Sequence, residues 1–149
     1  MNKFLGEFEV KIDAKGRVRL PSQLMRQLGS AAEASFVINR GFEKHLILYP
    51  KAQWDVITEQ LSQLNQFVVQ NREFVRYFHR GASEVELDGS ERVLLPKPLL
   101  EYAGIGTDLV LFAYFDKIEI WAKAEYDKVM NAEPENFAAL AEAVMGGKL

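Results

Sequence analysis

Residues 13–21 read DAKGRVRLP and residues 88–96 read DGSERVLLP, so one motif occurs twice at an offset of 75 residues (88 − 13). A later segment also repeats, because residues 46–54 (LILYPKAQW) resemble residues 118–126 (IEIWAKAEY) at an offset of 72 (118 − 46). The chain therefore contains two copies of one unit that differ by a few inserted residues. Two copies are too few for a solenoid, so the pattern predicts a closed unit with pseudo-twofold symmetry.

The motif predicts a β-hairpin in each copy. Residues 7–12 alternate charged and apolar side chains, as do residues 84–87, which is typical of a half-buried strand. A turn is predicted at residues 13–16, since aspartate closes turns with its side chain and glycine tolerates positive φ. The chain is then expected to return as the second strand of the hairpin, with Arg17 and Arg19 on its outward face.

Proline, glycine and apolar spacing mark the remaining elements. A short helix is predicted between Pro21 and Gly29, because proline favours the first turn of a helix and glycine its end. Further strands are expected at residues 36–40, 45–49, 109–114 and 118–121. Apolar residues at helical spacing predict a helical linker between the copies. They also predict a final helix after Pro134, packed on the rest of the chain or on a neighbouring subunit.

Composition argues against several classes of protein. The 149 residues include no cysteine and two histidines, His45 and His79, so neither a metal site nor a cofactor is expected. Both histidines are interpreted as ordinary surface or half-buried residues, since no nucleophile motif accompanies them. The N-terminus does not resemble a signal peptide, and no apolar run approaches the roughly 18 residues of a membrane span. We therefore expect a cytoplasmic protein with no membrane partner and no small-molecule substrate.

Positive charge is concentrated in the first motif. The formal net charge is −3, yet residues 11–26 contain five cations and one anion. The cations are Lys11, Lys15, Arg17, Arg19 and Arg26. Because a guanidinium can donate two parallel hydrogen bonds to a phosphate or a guanine, the hairpin is a candidate DNA-binding element. An alternative stays open, in which Arg19 forms exposed ion pairs with Glu7 or Glu9.

The second motif is more acidic than the first. Residues 84–101 contain five acidic residues and two cations, one of which is Arg92. The second hairpin is therefore predicted to serve mainly architecture, with Arg92 pairing locally or making one subsidiary DNA contact. Glu91 stands where the first copy has Gly16, and Gly89 is expected to supply the positive φ instead.

Two further patterns are weaker candidates for function. Arg72, Arg76 and Arg80 share one helical face, which is more often a solvated face than a DNA contact. Asp13 and Asp88 occupy matching positions, as the carboxylates of an aspartic-protease dyad do. The small residues that let such a dyad converge are missing, and aspartate at the start of a turn is usually a local cap. The chain is therefore not expected to be an enzyme.

The doubled motif resembles that of the MraZ family. The resemblance extends over residues 4–126 and includes Phe4, Gly6, Trp54 and the segment GASE at residues 81–84. It implies a mainly β fold with helices (α+β), in which swapped hairpins of two SpoVT-AbrB modules form a pseudo-twofold, double-psi-like barrel. The expected divisions are module 1 at 7–54, a helical linker at 55–81, module 2 at 82–125 and a C-terminal helical tail at 126–149.

The resemblance also implies a function and a site. It implies a sequence-specific, nucleoid-associated transcriptional regulator that forms a homo-oligomeric ring, an octamer or dodecamer. The ring would bind direct repeats in double-stranded DNA, in the promoter of the division and cell-wall gene cluster. Lys15 and Arg17 are the implied donors, and Lys11, Arg19 and Arg92 are additional candidates. The alternative is an antitoxin-like or scaffolding SpoVT-AbrB protein that acts through a protein partner.

Overall fold

The computed structural model describes residues 3–33, 35–132 and 134–146, and within them the chain has an α+β fold. Its strands are β1 (Phe4–Lys11), β2 (Arg17–Arg19), β3 (Phe36–Arg40), β4 (Leu46–Pro50), β5 (Ser83–Val85), β6 (Arg92–Leu94), β7 (Asp108–Phe115) and β8 (Lys117–Ala122). Its helices are α1 (Ser22–Leu28), α2 (Lys51–Ser62), α3 (Val69–His79), α4 (Lys97–Ala103), α5 (Lys123–Asn131) and α6 (Phe137–Met145). A short 3-10 helix at Gly29–Glu33 follows α1.

The strands form two antiparallel sheets, and each sheet joins the two copies of the repeat. The large sheet has the strand order β1-β7-β8-β4-β3-β5, and β2 and β6 form a separate ribbon. In the ribbon, Val18 lies opposite Val93, its counterpart at an offset of 75 (93 − 18). In the large sheet, Ile47 lies opposite Glu119, its counterpart at an offset of 72 (119 − 47). The pairing therefore follows the predicted pseudo-twofold symmetry, whereas the closed barrel with swapped hairpins stays a prediction.

The turn and returning strand predicted for the first copy are confirmed, since the N–H of Asp13 donates to the carbonyl of Arg17 at 2.9 Å, but the two strands pair mainly with strands of the other copy. β1 pairs along its length with β7, and β2 pairs with β6. A single bridge between Ile12 and Val18 connects the end of β1 to β2. β2 is only three residues long, and pairing with β6 allows Val18 and Val93 to be buried together, each with 0% of its surface exposed. In the second copy, the strand predicted at 84–87 is β5, which ends at Val85.

The predicted helices are confirmed. α1 begins directly after Pro21 and ends at Gly29, which has a φ of 55°. The segment between the two copies folds into α2 and α3. Trp54 of α2 stacks on Phe78 of α3 with ring centroids 5.6 Å apart. Both rings pack against the face of the large sheet that carries Val37, so the linker covers part of that face.

The main core lies between the other face of the large sheet, the ribbon, α1 and α4. Its fully or almost fully buried side chains include Val18, Leu20, Leu24, Phe36, Leu48, Val93, Leu95, Leu99 and Leu111. Both strands of the ribbon thus contribute to this core. Burial of the ribbon's inner side chains fixes the direction in which its outer side chains point.

The C-terminal helix was predicted to pack either on the rest of the chain or on a neighbouring subunit, and the first of these alternatives is not seen in the part of the chain that the structure describes. α6 forms, but none of its described residues is buried, and Phe137 and Val144 are 73% and 72% exposed. Packing on the rest of the same chain is therefore not seen in the described residues.

Candidate nucleic-acid interface

The ribbon presents three arginines on one outward face. Its register places Arg19 opposite Arg92 and Arg17 opposite Leu94, and the intervening valine of each strand is buried. Because side chains alternate across a strand, these four residues share the side away from the core. We call Arg17, Arg19, Arg92 and Leu94 the ribbon face. The sequence had assigned Arg92 a subsidiary role, but the fold places it beside the other two arginines.

The carboxylate of Asp13 organises the turn before β2. Its Oδ1 accepts hydrogen bonds from the backbone N–H groups of Lys15 and Arg17, each at 2.9 Å, and its Oδ2 accepts from Arg17 Nε at 2.7 Å. Gly16 has a φ of 85°, and its N–H donates to the Asp13 carbonyl at 3.0 Å. Arg17 is thus held through Nε, and its two Nη groups make no hydrogen bond within the described parts of the chain.

The second turn has the same hydrogen bonds. Asp88 Oδ1 accepts from the N–H groups of Ser90 and Arg92, at 2.8 and 3.0 Å, and Oδ2 accepts from Arg92 Nε at 3.0 Å. The prediction that Gly89 supplies the positive φ is wrong, because Glu91 itself has a φ of 63°. The N–H of Glu91 donates to the Asp88 carbonyl at 3.0 Å, so the closed turn imposes the backbone conformation that glycine adopts in the first copy.

Each turn is also bound to the strand of the other copy. The N–H of Leu20 donates to the carbonyl of Glu91 at 3.0 Å, and the N–H of Leu95 donates to the carbonyl of Gly16 at 2.8 Å. These bonds extend the ribbon into both turns. The ribbon face is therefore carried by a backbone that is hydrogen-bonded at both ends and buried on its inner side.

The electrostatics of the two turn aspartates differ from those of the carboxylate dyad considered from the sequence. Hydrogen bonding lowers the pKa of each below its ordinary value of 3.8, chiefly through the backbone N–H of Arg17 at Asp13 and of Arg92 at Asp88. A dyad that shares a proton requires the opposite, a raised pKa at one carboxyl. Arg92 is bonded to Asp88 and places Nη1 3.9 Å from Asp13 Oδ2, so a guanidinium serves both carboxylates.

Of the other predicted cations, Lys15 and Lys11 lie outside the ribbon face, whereas Arg19 is part of it. Lys15 is exposed in the first turn. The side chain of Lys11 is 76% exposed, and its Nζ lies 3.2 Å from Asp108 Oδ1. Arg19 is exposed and lines an open cleft of ≈ 740 Å³ with Glu7 and Glu9. The alternative in which Arg19 pairs with these glutamates is wrong, since Arg19 has no ion pair in the described residues.

His45 is buried, so its interpretation as a surface or half-buried residue is wrong. It is 3% exposed, and its ring stacks on Trp121 with centroids 4.3 Å apart. Burial lowers the pKa of His45, although nearby Glu119 opposes the shift. His79 is exposed, and its Nδ1 lies 2.8 Å from the carbonyl of Val75. Within the described ranges, no three potential metal-ligating side chains cluster, and no helix is long and apolar enough to cross a bilayer.

Known proteins similar to this chain match both copies of the repeat. A family model described as "MraZ protein, putative antitoxin-like" matches residues 3–77 and again residues 78–146. The Transcriptional regulator MraZ of Flavobacterium psychrophilum is 40% identical over 147 residues, which are 98% of this chain and 94% of that protein. The protein of the same name from Christiangramia forsetii is 40% identical over 98% of this chain and 95% of its own length. That of Cytophaga hutchinsonii is 37% identical over 95% of this chain and 94% of its own length.

Proposed function

The chain belongs to the MraZ family, and we propose that it is a transcriptional regulator that binds specific sequences in double-stranded DNA. Its relatives named above are transcriptional regulators by name. The observation that carries the proposal is the ribbon face, where Arg17, Arg19 and Arg92 point away from the core on a buried, hydrogen-bonded scaffold.

The ribbon suits the major groove of DNA. A two-stranded β-ribbon fits this groove, which is about 12 Å wide in B-DNA. Neighbouring strands lie about 4.8 Å apart, so arginines from both strands reach the base edges together. A guanidinium donates two hydrogen bonds to O6 and N7 of guanine, and Leu94 supplies an apolar contact of the kind that suits a thymine methyl.

The turn aspartates act as positioning residues for this contact. Asp13 and Asp88 each hold one arginine through Nε, which leaves both Nη groups of Arg17 and Nη2 of Arg92 available for recognition, while Arg92 Nη1 lies 3.9 Å from Asp13 Oδ2. A side chain that is ordered before binding loses less conformational entropy on binding. We propose that Lys15, which is exposed in the first turn, and Lys11 at the end of β1 contact phosphates, which fix the protein's position on the duplex.

Several copies acting together would compensate for the few phosphate contacts that a single ribbon face can make. The net charge is −3, and the three arginines of one ribbon face are accompanied by two turn aspartates. One copy can therefore neutralise only a few phosphates. We propose that copies assemble into a ring and bind direct repeats in the promoter of the division and cell-wall gene cluster, as the family resemblance implies. Linking the copies raises the effective concentration of each further ribbon face, and the assembly would be associated with the nucleoid.

The test is a binding titration on a labelled DNA fragment from upstream of the chain's own gene. Single variants Arg17→Ala, Arg19→Ala and Arg92→Ala are each expected to weaken specific binding by about 1–3 kcal/mol, or roughly five- to 150-fold. The matched control is Arg26→Ala, which removes the same charge from α1, outside the ribbon face, and is expected to bind within about twofold of wild type.

Wild-type affinity in all three ribbon variants would contradict the proposal. That result is the one expected if the chain instead acts through a protein partner, as an antitoxin-like or scaffolding protein.

A further inference from the structure

The C-terminal helix carries an apolar stripe on which nothing packs in the described chain. Phe137, Leu140 and Val144 have the spacing i, i+3, i+7 of one helix face and are 73%, 45% and 72% exposed. The helix is nevertheless well capped, because Asn136 Oδ1 accepts from the N–H of Ala139 at 3.0 Å and Gly146 ends it in the left-handed conformation. Contiguous exposed apolar surface of this kind marks an interaction site.

A second unpartnered apolar surface lies between α3 and the turn that joins β3 to β4. It is a groove of ≈ 150 Å³, which we call the aromatic groove. Its lining residues are Arg40, Gly41, Phe42, Phe74, Tyr77, Phe78 and Tyr102. Phe42 is 83% exposed and Tyr77 is 63% exposed, so much of the aromatic surface faces solvent. The groove is the kind of concave, aromatic site that binds an apolar side chain of a partner.

Arg40 holds the aromatic groove in shape. Its guanidinium carbon lies 4.3 Å from the ring centroid of Tyr77 and 5.1 Å from that of Tyr102. Its Nε donates to the carbonyl of Arg80 at 3.0 Å, and its Nη2 donates to the carbonyl of Tyr77 at 3.0 Å. Stacking against two rings and bonding to two carbonyls fixes the guanidinium, so the groove is open before any partner arrives.

The helix and the groove carry opposite charges. Arg40 lines the groove, and Arg80, whose carbonyl accepts a hydrogen bond from Arg40 Nε, directly follows α3. Neither arginine forms an ion pair in the described parts of the chain. On the other side, Glu142 is the charged residue of α6 and Glu135 precedes the helix, and both carboxylates are likewise without an ion pair there. Association would bring these charges together.

We propose that α6 of one copy docks in the aromatic groove of a second copy of this chain, with Phe137 as the anchor inside the groove. The proposal deepens the ring assembly proposed above and rests on it. An amphipathic helix that places i, i+3 and i+7 side chains into an apolar groove is a common mode of recognition. Because the helix and the groove are different surfaces, the contact is heterologous, and its repetition generates a ring when the rotation closes.

Photocrosslinking tests which surface α6 contacts. Phe137 is replaced by benzoylphenylalanine in the full chain, and equal amounts of ¹⁵N-labelled and unlabelled protein are mixed, irradiated and digested. We expect crosslinks between a labelled and an unlabelled chain, at the peptide that contains Phe74 and Tyr77. Crosslinks within one chain, or to peptides outside the aromatic groove, would overturn the proposal.

Light scattering tests whether the contact supports assembly. Phe137→Ser and Tyr77→Ser are each expected to raise the dissociation constant of the assembly roughly tenfold or more. The matched control is Phe67→Ser, since Phe67 is 93% exposed but lies outside both surfaces, and it should assemble like wild type. Circular dichroism of each variant verifies that the fold is kept. Unchanged assembly of Phe137→Ser, or a wild-type chain that stays monomeric, refutes the proposal.

The two proposals fail in different measurements. Binding of a DNA fragment with a single repeat depends on the ribbon face, so Phe137→Ser should retain it while losing affinity for a fragment with two repeats. Loss of single-repeat binding in Phe137→Ser would contradict the separation of the two surfaces. Wild-type DNA affinity in the arginine variants would contradict the DNA-binding proposal and leave the crosslinking result unaffected.

Discussion

At the scale of single residues, the two turns adopt the same left-handed backbone conformation with different residues. Gly16 and Glu91 occupy equivalent positions, with φ of 85° and 63°. The left-handed conformation costs glycine little but costs an L residue about 1–2 kcal/mol. The hydrogen bonds of Asp88 hold Glu91 in this conformation, so the second turn stores backbone strain that the first turn avoids.

Because one turn has glycine and the other glutamate at this position, substitutions at Gly16 and Glu91 are predicted to change the free energy of unfolding in opposite directions. Gly16→Ala should lower the free energy of unfolding by about 1–2 kcal/mol, because the new Cβ would meet no atom closer than 3.5 Å and only the backbone is strained. Glu91→Gly should raise it by about 0.5–1 kcal/mol, since relief of strain exceeds the entropy that glycine adds to the unfolded chain. Urea unfolding measures both changes. Gly89→Ala is the control, and a loss as large as that of Gly16→Ala would contradict this account.

Burial of His45 predicts a dependence of stability on pH. The pKa of His45 is lowered in the folded protein. As the pH falls through the ordinary histidine pKa of 6.5, the unfolded chain therefore takes up a proton at this residue while the folded chain does not. Stability is therefore fully present above about pH 6.5 and decreases as pH falls below it, by at most about 1.4 kcal/mol per pH unit. Urea unfolding between about pH 7.5 and 5.5 measures the slope. His45→Phe should flatten it, whereas the exposed His79→Gln should leave it unchanged; an identical slope in His45→Phe would disprove the assignment.

At the scale of elements, the helices could be predicted from the sequence but the strand partners could not. Pro21 and Gly29 bracket α1 in the sequence, and the same residues limit it in the structure. Alternation of apolar residues indicates which face of a strand is buried, but it carries no information on which strand lies alongside. The pairing of β1 with β7 and of β2 with β6 depends on contacts between residues far apart in the chain. The offset of the repeat was the one clue, because Val18 pairs with its own counterpart.

The candidate site was likewise predictable from the sequence only where it depends on local residues, and not where it depends on strand pairing. Lys15 and Arg17 were identified from local charge, and both lie in or beside the first turn. The place of Arg92 on the ribbon face follows from the cross-strand register of β2 and β6, which local sequence cannot supply. The acidic residues around the second motif argued against a DNA-binding role for Arg92. The spacing from Asp88 to Arg92 nevertheless equals that from Asp13 to Arg17. Equal spacing was therefore a better guide to the site than net local charge.

At the scale of the whole molecule, the arginines of the ribbon face form a local positive surface on an acidic chain. A protein of net charge −3 has no net long-range attraction to DNA, and the long-range repulsion is screened beyond about 8 Å at physiological ionic strength. Binding must then come from short-range contacts at each ribbon face. In the proposed assembly, the number of ribbon faces that touch DNA at once would therefore set both the affinity and its response to salt.

The salt dependence of the affinity for DNA measures how many ribbon faces bind at once. Each phosphate that a cation neutralises adds about 0.9 to the slope of log affinity against log salt concentration, so a fragment with two repeats should give a steeper slope than a fragment with one. Lys15→Ala, which removes an exposed cation at the tip of the first turn, should reduce the slope by about 0.9 on one repeat and by about twice that on two repeats. Fluorescence anisotropy between about 50 and 200 mM salt measures both slopes. The control is Lys128→Ala on α5, away from the ribbon face, which should change neither slope. Equal slopes for the two fragments would mean that only one ribbon face binds at a time. Self-association would then contribute nothing to the affinity for DNA.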